Sequence, residues 1–154
     1  AAGEIGQMSV AHDGVEGPYG NDGALERYIG HRQISEIAAD LFAAAGREFS
    51  AEDCAPHALA ESAYAGDEIA RQVWHRVAEY LGTALGATIY LLNPDTLVIG
   101  GGVAAAGEIL FDPLKEKLQQ VLSVEFYERL NIKHAELGND AGIIGSAALA
   151  LEAL

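Results

Sequence analysis

Apolar residues recur at helical spacing over long parts of the chain and at strand-like spacing over two short parts. The clearest helical pattern follows Gly66, where apolar residues return every three or four positions and so share one face of a helix. This helix should reach about Leu92. Asn93 and Pro94 should end it, because the residue before a proline is pushed out of the helical region.

Residues 97–99 form a continuous apolar run bounded by turn residues, which is typical of a strand buried on both faces. Residues 130–135 have the pattern of a second strand. Other helical patterns cover residues 24–29, residues 34–45, a short stretch ending near residue 64, residues 113–122 and the last residues of the chain. Helices and strands therefore alternate, with few strands, which predicts an α/β fold.

Three positions carry the features of helix starts. Ser50 and Asp53 have the spacing of a capping box, in which each side chain bonds the other's backbone amide. Asp112 followed by Pro113 predicts an N-cap and the first residue of a helix. Asp140 should cap the final helix, whose glycines and alanines would allow close packing on a sheet.

Residues 10–23 are rich in Gly, Asp, Asn and Pro and predict an irregular loop. Glu4 and Glu26 flank this loop, and each lies close to glycines in the sequence. Carboxylates in such places can reach a small polar ligand, and paired acids hold sugar hydroxyls through charge-assisted hydrogen bonds. The alternative for Glu26 is an acid that only interacts with the dipole of the helix it begins.

Gly100, Gly101 and Gly102, here called the glycine triplet, directly follow the first predicted strand. Open α/β sheets bind ligands at the carboxyl ends of their strands, and glycines there let a ligand approach the backbone. The triplet is therefore a candidate binding site. It also fits the dinucleotide pattern G-x-G-x-x-A, but Gly107 and Asp112 interrupt the single helix that pattern requires. A tight turn without a ligand is the third interpretation.

Composition narrows the possible functions. The chain has 154 residues and a formal net charge of −14, so it would repel nucleic acid and anionic membranes, and a single domain is expected. The one cysteine, Cys54, excludes an internal disulfide, and no histidine pair has metal-binding spacing. With no apolar stretch of membrane-spanning length and no signal-peptide pattern, the expected location is the cytoplasm.

Five separated motifs together resemble the ROK family of repressors, open reading frames and sugar kinases. They are residues 3–8 (GEIGQM), 13–14 (DG), 20–26 (GNDGALE), 93–103 (NPDTLVIGGGV) and 141–147 (AGIIGSA). The resemblance implies an RNase H-like α/β fold of the actin and hexokinase superfamily. It further implies that residues 1–154 form one C-terminal lobe, which faces an N-terminal lobe that this chain does not include.

The resemblance also assigns roles to residues. Glu4 and Glu26 occupy positions that bind sugar hydroxyls, and the glycine triplet matches the residues that line the adenosine end of the nucleotide site. Gln7 occupies the position of a histidine that touches the sugar and ligates zinc in the family. Glu4, Gln7 and Glu26 are here called the polar cluster.

The family's zinc motif is missing from this sequence. Its three cysteine positions are Gly17, Tyr19 and Ala24, and the histidine position is Gln7, so all four ligands are replaced. A zinc-free member is predicted, since glutamine is a very poor zinc ligand beside three residues that offer none. We expect Pro18 and Tyr19 to fill the vacated space.

The implied reaction is transfer of the γ-phosphate of ATP, bound with Mg²⁺, to a hydroxyl of a hexose or hexosamine by a glucokinase-like enzyme. The family's phosphate loop and its aspartate base do not occur in these residues and are expected upstream, so no catalytic residue is assigned and the segment alone should be inactive. The family suggests a homodimer. Two alternatives remain, a sugar-sensing transcriptional regulator that uses the same lobe and a non-catalytic scaffold module.

Overall fold

The computed structural model describes residues 3–152, and for Asn139 the backbone alone. In chain order the helices and strands are α1 (Glu26–Ile29), α2 (His31–Ala44), α3 (Pro56–Tyr64), α4 (Glu68–Leu92), β1 (Thr96–Ile99), α5 (Glu108–Val121), α6 (Val124–Tyr127), β2 (Asn131–His134) and α7 (Ala141–Glu152). Short 3₁₀ turns at Ile5–Gln7, Val103–Ala106 and Gly138–Asp140 connect them. The predicted alternation of helices with few strands is confirmed.

The long helix α4 is the centre of the fold. Asp67 caps its start, where the carboxylate accepts hydrogen bonds from the amides of Ile69 at 2.9 Å and Ala70 at 3.2 Å. It ends at Leu92, as predicted, and Asn93 takes the left-handed conformation with φ of 47°. Both ends of the helix are therefore set by local sequence.

Helix α4 packs most closely against α5. A Cβ placed on Gly82 would lie 2.5 Å from Cγ of Lys117, and one on Gly86 would lie 2.8 Å from Cγ2 of Val121. The two glycines thus permit an approach that side chains would block. Helix α5 contributes Leu114 and other fully buried residues, each stabilising the fold by about 1.5–3 kcal/mol.

Strands β1 and β2 are parallel neighbours, with Ile99 opposite His134 in the register. Leu97 and Ile99 pack against the helical core, whereas Val98 is 59% exposed. The expectation that the first strand is buried on both faces is wrong for the described residues, because the helices cover only the face that carries Leu97 and Ile99.

Helix α5 starts five residues earlier than Asp112 and Pro113 indicated. Its N-cap is Gly107, whose φ of 62° separates the helix from the preceding 3₁₀ turn, and Pro113 lies inside the helix. A proline there costs about 3 kcal/mol through a lost hydrogen bond and a steric clash. The cost is offset because the buried face, which includes Leu110 and Leu114, extends to both sides of Pro113.

Two further predictions concern the capping box at Ser50 and the packing of α7. The capping box forms, because the amide of Ser50 bonds Asp53 Oδ2 at 2.8 Å and the amide of Asp53 bonds Ser50 Oγ at 3.3 Å. It closes a turn, however, and α3 begins only at Pro56. The predicted packing of α7 on the sheet is wrong for residues 141–152, since Ile143 is 73% exposed and Cβ atoms on Gly142 and Gly145 would touch nothing.

Within residues 3–152, no helix combines the length and hydrophobicity that crossing a bilayer requires.

Candidate functional site

The first residues described fold back against the start of α1. The amide of Val10 donates to the carbonyl of Gly23, and the amide of Leu25 donates to the carbonyl of Met8, each at 2.9 Å. Residues 8–10 therefore run antiparallel to residues 23–25. This pairing brings the 3₁₀ turn Ile5–Gln7 beside the first residue of α1, which is Glu26.

The polar cluster assembles around Gly6. A Cβ placed on Gly6 would lie 3.5 Å from Glu26 Oε2, so the Glu26 carboxylate rests against this glycine. Glu4 is the N-cap residue of the 3₁₀ turn, and its carbonyl accepts from the amide of Gln7 at 3.1 Å. The structure thus places all three predicted residues within one small region, with both carboxylates exposed and Gln7 half-buried.

Two glycines allow this hairpin loop (residues 8–25) to close. Gly23 has a φ of 71°, and a Cβ there would overlap the carbonyl oxygen of Ala11. Gly14 lies directly under the hydroxyl of Tyr28, which accepts a hydrogen bond from the amide of Val15 at 3.0 Å. The loop is therefore held against α1.

The space beside the positions that match the family's zinc ligands is filled by other residues than expected. Tyr19 is 81% exposed and Pro18 is exposed, so the expectation that they fill the vacated space is wrong. A Cβ on Gly17 would lie 2.7 Å from Asn21 Oδ1 and 2.9 Å from Cβ of Ala24. Asn21 and Ala24 occupy this space because the short hairpin turns Tyr19 outward.

These residues do not suit zinc. Gly17 and Ala24 offer no donor atoms, and residues 3–152 contain no group of three or more His, Cys, Asp and Glu side chains placed to hold a metal.

The zinc-free state stays a prediction. Elemental analysis of the purified full-length protein should find far less than one zinc per chain, and stoichiometric zinc that survives dialysis would contradict it.

The glycine triplet lies at the carboxyl edge of the sheet. A Cβ on Gly100 would come within 2.8 Å of Cβ of Ala135, while Gly101 has a φ of 84°. Gly102 differs from both, because its φ of −62° is ordinary and a Cβ there would touch nothing within 4 Å. The triplet therefore presents open backbone at Gly102 and crowded backbone at Gly100.

Two cavities border different residues of the glycine triplet. One of about 210 Å³ is lined by Gly100, Gly101 and His134. A second, of about 470 Å³, lies between Gly102 and α3, whose Tyr64 donates a hydrogen bond to the carbonyl of Ala106 at 3.2 Å. Cavities of this size hold drug-sized ligands.

A third cavity borders the glycine triplet. It has a volume of about 440 Å³, and its lining includes the whole triplet together with Ile5 and Ile29. Ile5 lies between two residues of the polar cluster in sequence, and Ile29 ends the helix that Glu26 begins. The cavity therefore reaches the turn and the helix that carry the polar cluster, although Glu4, Gln7 and Glu26 do not line it.

His134 is a candidate that sequence reasoning missed. Its ring stacks on Phe111 at a centroid distance of 3.5 Å, and its Nε2 atom lies 3.5 Å from Glu108 Oε1. Lys115, 3.1 Å from the other oxygen, holds the pKa of Glu108 below its usual value. The sequence signal that indicates His134 is its position at the end of the second predicted strand, opposite Ile99, which leads into the glycine triplet.

Comparison with known proteins gives a consistent picture. The sequence model of the ROK family matches residues 1–153. The chain is 31% identical to a glucokinase of Thermotoga maritima over 97% of this chain and 49% of that protein, and 33% identical to a glucokinase of Halalkalibacterium halodurans over 94% and 46%. It is also 27% identical to an N-acetylglucosamine repressor of Escherichia coli over 99% and 37%.

Solved structures agree. A ROK family glucokinase from Streptomyces griseus, in complex with glucose and AMPPNP, superposes with a TM-score of 0.84 at 26% identity, over 97% of this chain and 51% of that one. A ROK hexokinase from Thermus thermophilus gives 0.75 at 27% identity, over 99% and 49%. These matches confirm the expected α/β fold class. The chain spans about half the length of the curated glucokinases it matches.

Proposed function

Because this chain belongs to the ROK family, we propose that it is the C-terminal lobe of a glucokinase-like enzyme that transfers the γ-phosphate of ATP to a sugar hydroxyl. The observation that carries the proposal is the cavity of about 440 Å³, which is lined by the glycine triplet and by Ile5 and Ile29 from the turn and the helix that carry the polar cluster. A phosphoryl transfer between two bound substrates requires their sites to open into one space.

The polar cluster is the proposed sugar site. Glu4 and Glu26 expose carboxylates that accept hydrogen bonds from hydroxyl groups, and Gln7 adds an amide beside them. These residues suit a hexose or hexosamine, because carboxylate and amide oxygens accept hydrogen bonds from its hydroxyl groups. The glucose bound to the Streptomyces griseus relative is in line with this choice of substrate class.

The glycine triplet is the proposed nucleotide site. Its backbone approaches the ligand without side chains, and the cavity of about 470 Å³ beside Gly102 would take the adenosine end of ATP. Mg²⁺ would arrive bound to the phosphates of ATP. Since residues 3–152 hold no group of metal ligands, we assign this chain no step that involves the metal.

No residue of this chain is proposed as the general base. The carboxylates described here bind and orient the sugar, and the group that takes the proton of the attacking hydroxyl would lie in an N-terminal lobe that faces these cavities. Orientation and charge stabilisation supply most of the catalysis in phosphoryl transfer. The segment alone is therefore proposed to bind ligands without turning them over.

A second candidate is a sugar-sensing regulator, which the likeness to the N-acetylglucosamine repressor favours. Two measurements on the full-length protein separate the two: calorimetric titration with hexoses and a non-hydrolysable ATP analogue, and an assay of ADP release with ATP itself. The kinase proposal expects both ligands to bind, together with hexose-dependent ADP release. Hexose binding without nucleotide binding or ADP release would favour the regulator, and binding of neither would reject both.

A further inference from the structure

Asn21 bonds the 3₁₀ turn through its side chain and the hairpin loop through its backbone. Its Nδ2 atom donates a hydrogen bond to the carbonyl oxygen of Gln7 at 2.8 Å. Its own carbonyl accepts from the amide of Gly17 at 2.7 Å. One residue therefore connects the end of the 3₁₀ turn with the opposite arm of the loop.

The donor half of the Asn21 amide makes this connection. The Oδ1 atom is buried and has no hydrogen-bond partner among the described residues, so the acceptor half contributes nothing comparable. A buried acceptor without a partner costs free energy, and the bond from Nδ2 to the Gln7 carbonyl offsets part of that cost.

Gln7 is connected to the rest of the polar cluster through the backbone. It follows Gly6, against which the Glu26 carboxylate rests, and its amide is bonded to the carbonyl of Glu4. The Gln7 carbonyl belongs to the peptide between Gln7 and Met8, so the bond from Asn21 restrains the backbone on the other side of the Cα that carries the Gln7 side chain. Small displacements of such groups weaken ligand binding strongly.

From these contacts we propose that Asn21 is a positioning residue of the sugar site, which holds Gln7 in register with Glu26 and touches no substrate itself. This inference rests on the proposed function. It expects a change of the Asn21 side chain to reduce the affinity for sugar more than it reduces the stability of the fold.

The test is Asn21→Asp in the full-length protein, because aspartate keeps the size of the side chain and replaces the donor by an acceptor facing the Gln7 carbonyl. The KM for hexose should rise about five- to tenfold, as for one lost hydrogen bond, while the KM for ATP stays unchanged. The neighbouring variant Asp22→Asn is the matched control. It exchanges the same two groups on an exposed side chain and should leave both constants unchanged.

Equal increases in both KM values, or a lower melting temperature with unchanged KM values, would overturn the proposal in favour of a purely structural role. If Asn21→Asp does not fold, Asn21→Ala provides the same comparison without a buried charge and should give the same selective rise in hexose KM. Failure of the proposed function is seen separately, in a wild-type protein that neither binds nor phosphorylates hexoses.

Discussion

Replacing Glu26 by glutamine should weaken hexose binding to the full-length protein by about 10- to 140-fold, corresponding to about 1.5–3 kcal/mol for a hydrogen bond to a charged group. Glutamine keeps the shape of the side chain and its contact with Gly6 but removes the charge that strengthens the bonds to sugar hydroxyls. Calorimetric titration with hexose in the absence of nucleotide measures the change. Affinity for the ATP analogue should not move.

A matched control is Glu36→Gln on α2. Glu36 is an exposed helical acid whose only described ion pair is with Arg32, four residues earlier at 3.5 Å, so its loss should change neither affinity. Glu26 is the first residue of α1, and the alternative interpretation is that it only complements the helix dipole. Unchanged hexose affinity in Glu26→Gln with slightly reduced stability would establish that alternative.

The polar cluster is predicted by the resemblance to ROK sequences, and the proximity of its members follows from local structure. Glu4 and Gln7 belong to one turn, and the hairpin loop of residues 8–25 turns the chain back so that Glu26 lies beside it. Similarly, the limits of α4 follow from Asp67 at its start and from Asn93 at its end. Local chemistry decided each of these features.

Features that depend on packing between distant segments could not be predicted in the same way. Gly82 and Gly86 have no role in the helical pattern of α4, and only the approach of α5 explains them. Pro113 gave a misleading helix start because burial of the surrounding leucines outweighed a local rule. The cavity of about 440 Å³ beside the glycine triplet likewise arises where α1, the 3₁₀ turn, α4 and β1 meet, which no single stretch of sequence encodes.

Replacing Gly102 by valine should weaken binding of the ATP analogue by about 5- to 140-fold, since overpacking a fitted site costs about 1–3 kcal/mol. Gly102 is suited to this test because its φ of −62° is open to any residue and a Cβ there meets no atom within 4 Å. The protein should therefore fold normally. The added side chain would extend towards the cavities that border Gly102, where we propose that adenosine binds. Calorimetry with the ATP analogue measures the effect.

The size of the substituent provides the sharpest control on this prediction. Gly102→Ala should give a smaller loss than Gly102→Val, because alanine adds one methyl group and valine a rigid branched side chain. Ala87→Val, at an exposed position on α4, also introduces a branched valine side chain but outside the described cavities, and should leave nucleotide affinity unchanged. A folded Gly102→Val protein with wild-type nucleotide affinity would remove Gly102 from the nucleotide site. Within the triplet, such a result would leave Gly100 and Gly101, which line the cavity beside His134, as the candidates for contact with ATP.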